Sequence, residues 1–240
     1  MNAVIITTAI REKVATECLE RVLLYTPSPR TIILMHCVGK PELDADWPRE
    51  LAEKHPEVIY CKTDGEGGVT AAWNLGFQIA LDEGSNAIAC INDDVYVDSS
   101  WPNFFDTILK NDISMVGPVS KNPGVDYTGR QRQWGSRSES WTFIDPMHVK
   151  KNDGSITKRT YFCTNGFCFG LSGFLCDVLT STYGRVLNQD KYPWGGQEED
   201  LGERILKEGG SIVIDGGTYV DHIKFSDWRK LGCTNDKVKL

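Results

Sequence analysis

Two adjacent carboxylates follow a strand-like stretch in the first half of the chain. Residues Ala87 to Ile91 are apolar and predict a buried strand, and Asn92, Asp93 and Asp94 come directly after it. In α/β proteins, ligands bind at the carboxyl ends of the strands. Two carboxylates placed there repel each other unless a positive group lies between them, and a divalent cation that also holds a diphosphate is the usual solution. The pattern therefore predicts an enzyme that uses a nucleoside diphosphate.

The composition is that of an ordinary globular protein. Its 240 residues, 40% of them hydrophobic and 25% charged, fit one large α/β domain. A net charge of -7 argues against a general nucleic-acid binder, because a polyanion requires a basic surface. No signal peptide or membrane-spanning segment is recognisable, and the eight cysteines form no CxxC pair, which favours reduced thiols over a zinc site. We therefore expect a cytoplasmic protein with no transmembrane segment and no nucleic-acid partner.

Strand and helix signals alternate through the first half, in the order βαβαβαβ. This order predicts a mostly parallel central sheet with helices on both faces. The second half is less regular, and a long loop is expected over residues 120–160. The predicted strands are 3–8, 31–38, 57–62, 87–91, 115–118, 162–169, 211–215 and 219–222, and the predicted helices are 11–25, 47–55, 69–83, 171–182 and 198–208.

Two common phosphate-binding loops are absent from the sequence. A dinucleotide-binding domain carries GxGxxG between its first strand and first helix, but Thr7–Arg11 at this junction contains no glycine. The glycines at 65, 67 and 68 follow the third predicted strand and do not complete that pattern. A P-loop requires Gly-Lys-Ser/Thr, which does not occur. The sequence therefore supports neither class of nucleotide-binding domain.

Four separated segments together resemble the GT-A fold glycosyltransferases, in particular family 2 and the β-1,4-galactosyltransferase type. Asn92–Asp94 resembles the DxD motif with Asn in its first place, and Trp73–Ala80 is similar to the helix that precedes this motif. Trp194–Leu201, followed by Arg204, resembles the WGGED and ED-x-D-L-x-x-R stretch that carries the catalytic base. Val220–His222 matches the late strand whose histidine completes the metal site. The four segments occur in the family's order.

The resemblance implies a metal-dependent glycosyltransferase of the hexosyltransferase type, with an α/β fold of the GT-A class. The donor would be a nucleoside-diphosphate sugar, and the acceptor a hydroxyl group of a glycan, a lipid-linked sugar or another molecule. Asp94 and His222 would bind Mn²⁺ or Mg²⁺, and the imidazole favours Mn²⁺. The cation would bridge both phosphates of the donor and stabilise charge on the departing diphosphate.

Further residues are implied to bind the donor. Arg11 matches a family arginine near the nucleotide phosphates, which its planar fork of N–H groups suits. Thr7 and Thr8 would line the nucleoside pocket, and Asp93 would help to hold the ribose or the metal. Trp194, flanked by Pro and Gly, is interpreted as a wall that faces the sugar.

Two weaker assignments complete the donor site. Asn74 lies on the predicted helix before the DxD-like motif. Family 2 members usually carry an aspartate at the end of the second strand that recognises the nucleobase, but this position here reads His36-Cys37-Val38. Asp64, which ends the third predicted strand, is interpreted as a substitute for that aspartate. The identity of the nucleotide is therefore open.

The catalytic base is expected among three consecutive acids. An acceptor hydroxyl has a pKa far above neutral, so its attack on the anomeric carbon requires a carboxylate base. Alignment on Asp200, Leu201 and Arg204 puts Glu198 at the family's base position, whereas a literal match to the "ED" pair puts Asp200 there. Because neighbouring helical residues are rotated by about 100°, not all three acids can face one cleft. Glu198 is preferred, with Asp200 as the alternative, and the resemblance implies inversion at the anomeric carbon.

The chain is interpreted as a single domain over residues 1–240, in which 1–118 bind the nucleotide-sugar and 119–240 supply the acceptor side and the catalytic residues. Residues 120–160 contain eight Lys or Arg against four Asp or Glu, the reverse of the overall balance. This stretch is either a solvated loop or a lid for an anionic acceptor. Two rival functions stay open: a nucleotidyltransferase that makes a nucleotide-sugar, and a sugar- or nucleotide-binding module whose active site has decayed.

Overall fold

Four parallel strands form the first part of the central sheet. The computed structural model describes residues 1–9, 11–38, 44–120, 141–145, 148–151, 154–158 and 166–223. The strands run side by side in the order β3-β2-β1-β4, all parallel. They are β1 (Asn2–Thr8), β2 (Arg30–Cys37), β3 (Val58–Thr63) and β4 (Ala87–Asn92). Their carboxyl ends therefore lie at one edge, where polar residues replace the apolar core residues.

The second half of the chain extends the same sheet. After β4 the order continues β10-β6-β11-β7-β8-β9, in which β10 is antiparallel to β4 and to β6, and β6 is parallel to β11. Short β5 leaves this path and pairs with β11. These strands are β5 (Val95–Val97), β6 (Ser114–Val119), β7 (Trp141–Asp145), β8 (His148–Lys151), β9 (Ile156–Lys158), β10 (Cys168–Ser172) and β11 (Ser211–His222).

Helices cover both faces of the sheet, and each face has its own apolar core. One core contains residues of α3, α5 and α6, and in it Trp73 of α3 meets the ring of Phe169 of β10 edge to face. The other contains residues of α1, α2 and α4, with Trp101 stacked on Phe104. The helices are α1 (Glu12–Tyr25), α2 (Trp47–Glu53), α3 (Gly68–Asp82), α4 (Pro102–Lys110), α5 (Gly173–Tyr183) and α6 (Gln197–Lys207).

Strand pairing brings remote residues to the turn after β4. Thr7 at the end of β1 pairs with Asn92 at the end of β4. The end of β11 pairs with β5 in the register of His222 opposite Val95, and the N–H of Ile223 donates to the carbonyl of Asp94 at 2.9 Å. The backbone therefore fixes the late histidine beside the early carboxylates before any side chain is considered.

The sequence predicted this fold class, and the α/β architecture with mostly parallel strands and helices on both faces is confirmed. Strand β5 and helix α4 were not predicted, and the two strands expected at 211–215 and 219–222 form one strand with an irregularity between Asp215 and Tyr219. The expectation of a continuous loop over 120–160 is wrong in its second half, because β7, β8 and β9 lie there. Residues 121–140 lie outside the described part, as does the first half of the strand expected at 162–169.

Two further findings concern the described residues only. None of their helices has the length and apolar character that a bilayer crossing requires. Their six cysteines, Cys18, Cys37, Cys61, Cys90, Cys168 and Cys176, are free thiols. Burial raises the pKa of the Cys18, Cys90 and Cys168 thiols far above the usual value, so these cysteines serve as small apolar side chains.

Candidate active site

Asp94 and His222 meet at the carboxyl edge of the sheet. The Nε2 atom of His222 lies 3.6 Å from Oδ2 of Asp94. Burial acts to raise the pKa of Asp94, but the hydrogen bond from His222 and the charge of Arg11 outweigh it, so the pKa lies below its usual value. Asp94 is therefore a buried carboxylate that stays ionised, with an imidazole beside it.

Arg11 spans both carboxylates of the turn. One terminal nitrogen donates to Oδ2 of Asp94 at 2.7 Å, and the other donates to Oδ1 of Asp93. Arg11 directly precedes α1, so the helix holds its backbone while the side chain reaches the turn after β4. The guanidinium supplies the positive charge that two neighbouring carboxylates require.

Asp93 is the deeper of the two acids and is fully buried. Its Oδ2 accepts a hydrogen bond from the hydroxyl of Thr8 at 2.7 Å. Burial and the charge of Asp94 raise the pKa of Asp93 to about 6, although Arg11 and Thr8 act in the opposite direction. Thr7 is also buried, with its hydroxyl 3.4 Å from Oδ1 of Asn92. In this structure the two threonines therefore bind the side chains of the turn after β4. Their assignment to the nucleoside pocket stays a prediction.

Phe167 orients the histidine and was missed by the sequence reasoning. Its ring stacks on the imidazole of His222, with centroids 4.1 Å apart and planes inclined by 20°. Its carbonyl accepts the N–H of Asn92 at 2.9 Å. No sequence motif includes this phenylalanine. The stack forms because β10 pairs with β4 while β11 pairs with β5 and β6.

The two candidate bases lie in different surroundings. Glu198 is buried in the first turn of α6, and its carboxylate packs against Gly166, where a Cβ would lie 3.0 Å from Oε1. Gly166 directly precedes Phe167, so Glu198 is close to the Asp94–His222 pair. Asp200 instead forms an ion pair with Arg204, with Oδ2 2.8 Å from Nε. The geometry favours Glu198 over Asp200 as the base, and both assignments stay predictions.

The segment that leads into α6 is held by α3. Trp194 is 58% exposed, and its indole lies against Gly68, where a Cβ would be 2.8 Å from the ring. Thr70 donates its hydroxyl to the carbonyl of Tyr192 at 2.5 Å. Asn74 makes three hydrogen bonds to residues 187–189 of this segment. The exposed face of Trp194 is consistent with a sugar-facing wall, whereas the amide of Asn74 is directed at the segment.

Asp64 and His36 lie at the ends of β3 and β2. Asp64 is exposed, and its Oδ1 accepts the N–H of Glu66 at 3.0 Å in the turn before α3. His36 is buried and its Nδ1 lies 3.1 Å from the hydroxyl of Tyr60. Burial lowers the pKa of His36, so the imidazole near the end of β2 is neutral at neutral pH. The assignment of Asp64 to donor binding stays a prediction.

The residues fit a divalent cation that shares its coordination with a bound diphosphate. Oδ1 of Asp94 is buried and has no hydrogen-bond partner among the described residues. A carboxylate oxygen beside an imidazole nitrogen is a donor set that suits Mn²⁺. Within the described ranges no group of three or more His, Cys, Asp or Glu side chains could hold a metal by itself. The described residues thus offer two candidate ligands, a number that would leave phosphate oxygens and water to complete the coordination.

A family model supplies the remaining observation. The model named "Glycosyl transferase family 2" matches residues 3–178, which include strands β2 to β4, all of β1 except Asn2, and the Asp93–Asp94 turn. The chain belongs to glycosyl transferase family 2. The match ends before α6 and before His222. The assignments of Glu198 and His222 are therefore supported by the geometry of this chain and not by the family match. No curated protein sequence matches the chain significantly.

Solved structures show the same fold at low sequence identity. GalNAc-T7 with UDP, GalNAc and Mn²⁺ has a TM-score of 0.66 at 15% identity, and the match covers 93% of this chain and 44% of that one. The mannosyltransferase PcManGT of Pyrobaculum calidifontis, in complex with GDP-Man and Mn²⁺, has a TM-score of 0.63 at 11% identity. The match covers 96% of this chain and 59% of that one. Residues 1–349 of TarS from S. aureus have a TM-score of 0.62 at 11% identity, and the match covers 91% of this chain and 59% of that one. This family 2 chain therefore spans about half the length of the structures it matches.

Proposed function

We propose that the chain is a metal-dependent, inverting glycosyltransferase that moves a hexosyl group from a nucleoside-diphosphate sugar to an acceptor hydroxyl. The observation that carries the proposal is the convergence of Asp94 and His222, 3.6 Å apart, at the carboxyl edge of the parallel strands, where α/β proteins bind ligands. Family membership and a fold shared with proteins solved with UDP or GDP-Man support a nucleotide-sugar donor. The pairing of a DxD-like turn with a late histidine supports the β-1,4-galactosyltransferase type of site.

Asp94 and His222 would hold Mn²⁺, or Mg²⁺ as the alternative, through the carboxylate and the imidazole. When bound, the cation supplies Lewis-acid stabilisation of the diphosphate leaving group. Arg11 supplies a second positive charge next to this position and can donate to phosphate oxygens, because its fork fits them as well as carboxylates. Asp93 and Thr8 keep Arg11 and the turn in place, so the guanidinium would be preorganised for the donor's phosphates once the cation is bound.

Glu198 would remove the proton from the acceptor hydroxyl as the oxygen attacks the anomeric carbon. The attacking oxygen forms a bond to this carbon while the bond to the diphosphate oxygen breaks, and the proton moves to the Glu198 carboxylate. A base on the side of the sugar opposite the leaving group produces inversion. Trp194, which exposes its ring directly before α6, would present an apolar wall to a sugar, since an indole face suits the C–H surface of a pyranose.

A panel of nucleotide-sugars incubated with Mn²⁺ tests the proposal. We expect release of nucleoside diphosphate from one donor, faster with an acceptor, and loss of release when EDTA is added. Exchange of pyrophosphate into the nucleotide-sugar would instead indicate a nucleotidyltransferase. Donor binding without turnover for every sugar and acceptor tried would indicate a binding module. Either of these two results overturns the proposal.

A further inference from the structure

The side-chain amide of Asn74 is fully committed to one segment of the chain. Its Nδ2 donates to the carbonyl of Leu187 at 2.9 Å and to Oε1 of Gln189 at 3.0 Å. Its Oδ1 accepts the N–H of Leu187 at 2.8 Å. One side chain therefore pairs with both the N–H and the C=O of the same residue, which fixes the distance and the orientation of that backbone, because hydrogen bonds are directional.

Asn74 belongs to a row of contacts along one face of α3. Residues three and four apart lie on the same helix face, which places Gly67, Thr70 and Asn74 in line. Thr70 donates its hydroxyl to the carbonyl of Tyr192 at 2.5 Å and its N–H to the carbonyl of Pro193 at 3.2 Å. We call residues 187–194, which this face holds, the docked segment.

The docked segment leads directly to the proposed catalytic side chains. It ends at Trp194, and after two glycines α6 begins at Gln197, with Glu198 as its second residue. Helix α3 itself begins just after β3, in the half of the chain that the family model matches. The contacts of α3 therefore couple the donor half of the sheet to the position of Trp194 and Glu198.

We infer that Asn74 is a positioning residue, which sets the place of Trp194 and Glu198 through its hydrogen bonds to the docked segment. The inference rests on the proposed function only for the roles of those two residues. Apolar packing of Leu187, which is fully buried, holds the segment against the core, but packing alone is non-directional. The amide of Asn74 supplies the directional restraint, and a shift of about 1 Å at a reacting group can cost about 100-fold in rate.

Three variants separate this role from a general loss of stability. Asn74→Ala removes all three hydrogen bonds. Asn74→Asp keeps the acceptor for the Leu187 N–H but sets a second carboxylate oxygen against the Leu187 carbonyl, so it keeps the volume and breaks the pairing. Gln78→Ala is the matched control, because Gln78 lies one turn further along α3, is exposed and bonds only to Asp82 among the described contacts.

Amide hydrogen exchange and transfer kinetics are measured on each variant. We expect exchange to rise by about tenfold or more in residues 185–194 of both Asn74 variants and to stay at the wild-type level in β4 and β1. We expect kcat to fall by about 10–100-fold, while the dissociation constant of the nucleoside diphosphate, which lacks the sugar that Trp194 would face, is unchanged. Gln78→Ala is expected to match the wild type in both measurements.

Each other outcome decides against the inference. Unchanged exchange in residues 185–194 overturns it whatever the activity is. Raised exchange with wild-type kcat also overturns it, as does exchange that rises equally in β4. If no nucleotide-sugar is turned over by the wild type, the proposed function fails, and the exchange pattern still decides whether Asn74 holds the segment. Should Asn74→Ala fail to fold, Thr70→Val, which removes the hydroxyl contact to Tyr192 without loss of volume, is measured in the same way.

Discussion

The carboxylate of Glu198 occupies the space beside Gly166 that a Cβ would require, with Oε1 3.0 Å from the Cβ position. Because Gly166 precedes Phe167, and Phe167 stacks on His222, the proposed base and the proposed metal ligand are linked through two consecutive residues. This relationship connects α6 with β11 across the end of the sheet. It also indicates which substitutions should disturb transfer without disturbing the fold.

Glu198→Gln should stop transfer and leave donor binding intact. The amide keeps the size of the side chain but cannot accept the proton, so we expect kcat to fall by at least about 100-fold. Calorimetric donor titration and product formation measure the two effects separately. Asp200→Asn is the comparison, and it should cost about 1–3 kcal/mol of unfolding free energy through its ion pair with Arg204 while it retains transfer. Wild-type turnover in Glu198→Gln would move the base to another residue.

Gly166→Ala should slow transfer by displacing the Glu198 carboxylate. The new methyl group lies closer to the carboxylate than ordinary contact allows, so the side chain must shift. Glu198→Asp shortens the side chain by one methylene and should relieve this contact. We therefore expect the double variant Gly166→Ala/Glu198→Asp to exceed the activity that the two single effects together predict. Additive effects would show that Gly166 and Glu198 act independently.

The two aspartates should respond to pH in opposite directions in the absence of metal. The pKa of Asp93 is raised from 3.8 to about 6, so the folded state retains a proton that the unfolded state releases, and the contribution of Asp93 to stability falls as the pH rises between these values. The pKa of Asp94 is lowered, so its contribution is present above 3.8 and is lost as the pH falls below that value.

Urea unfolding in EDTA measures this contrast. The free energy of unfolding of Asp93→Asn, relative to that of the wild type, should increase as the pH is raised from 4 to 7.5. The substitution removes a carboxylate whose ionisation is opposed by burial. Asp94→Asn should be destabilising at pH 7.5, and this loss should shrink only below pH 4. A greater loss of stability for Asp93→Asn at pH 7.5 than at pH 4 would contradict the assignment.

Gly68→Ala should loosen the contact between α3 and Trp194. Gly68 has a φ of +63°, and a Cβ there would lie 2.2 Å from the carbonyl oxygen of Pro193. Gly84 has a φ of +75° with nothing within 4 Å of its Cβ position. Both variants incur the backbone cost of a left-handed alanine, about 1 kcal/mol, but only Gly68→Ala must also move the docked segment. Urea unfolding should show an additional loss of about 1–3 kcal/mol for Gly68→Ala, and equal losses would mean that the segment moves aside freely.

Local signals were sufficient for strands β1 to β4 and helices α1 to α3. Residues 87–91 form a strand because every side chain there is apolar and buried, and the helix that begins at Gly68 follows a glycine turn. Helix α4 was not predicted, although Pro102 is acceptable as the first residue of a helix. Strand β5 has only three residues and is formed by its pairing with β11, which no local pattern contains.

The polar residues of the candidate site could be selected from the sequence, and their roles stay predictions, whereas the residues that support them could not be selected. Asp93, Asp94, Glu198 and His222 were selected from the sequence, because carboxylates and imidazoles in a known order carry a chemical pattern. Phe167 and Gly166 were missed, because they act through a stack and through a space that exist only after β10 and β11 have joined the sheet. Asn74 was selected for donor binding, but its contacts are to Leu187 and Gln189, which lie far away in sequence.

The most direct test of the central claim is a calorimetric titration of UDP and GDP into the wild type, Asp94→Ala and His222→Ala, each with Mn²⁺ and with EDTA. If Asp94 and His222 hold a cation that binds the diphosphate, one nucleotide should bind the wild type in Mn²⁺, and its affinity should fall by at least about tenfold in EDTA and in both variants. Folded variants that bind the nucleotide as tightly as the wild type, or wild-type binding that is unchanged by EDTA, would contradict the account.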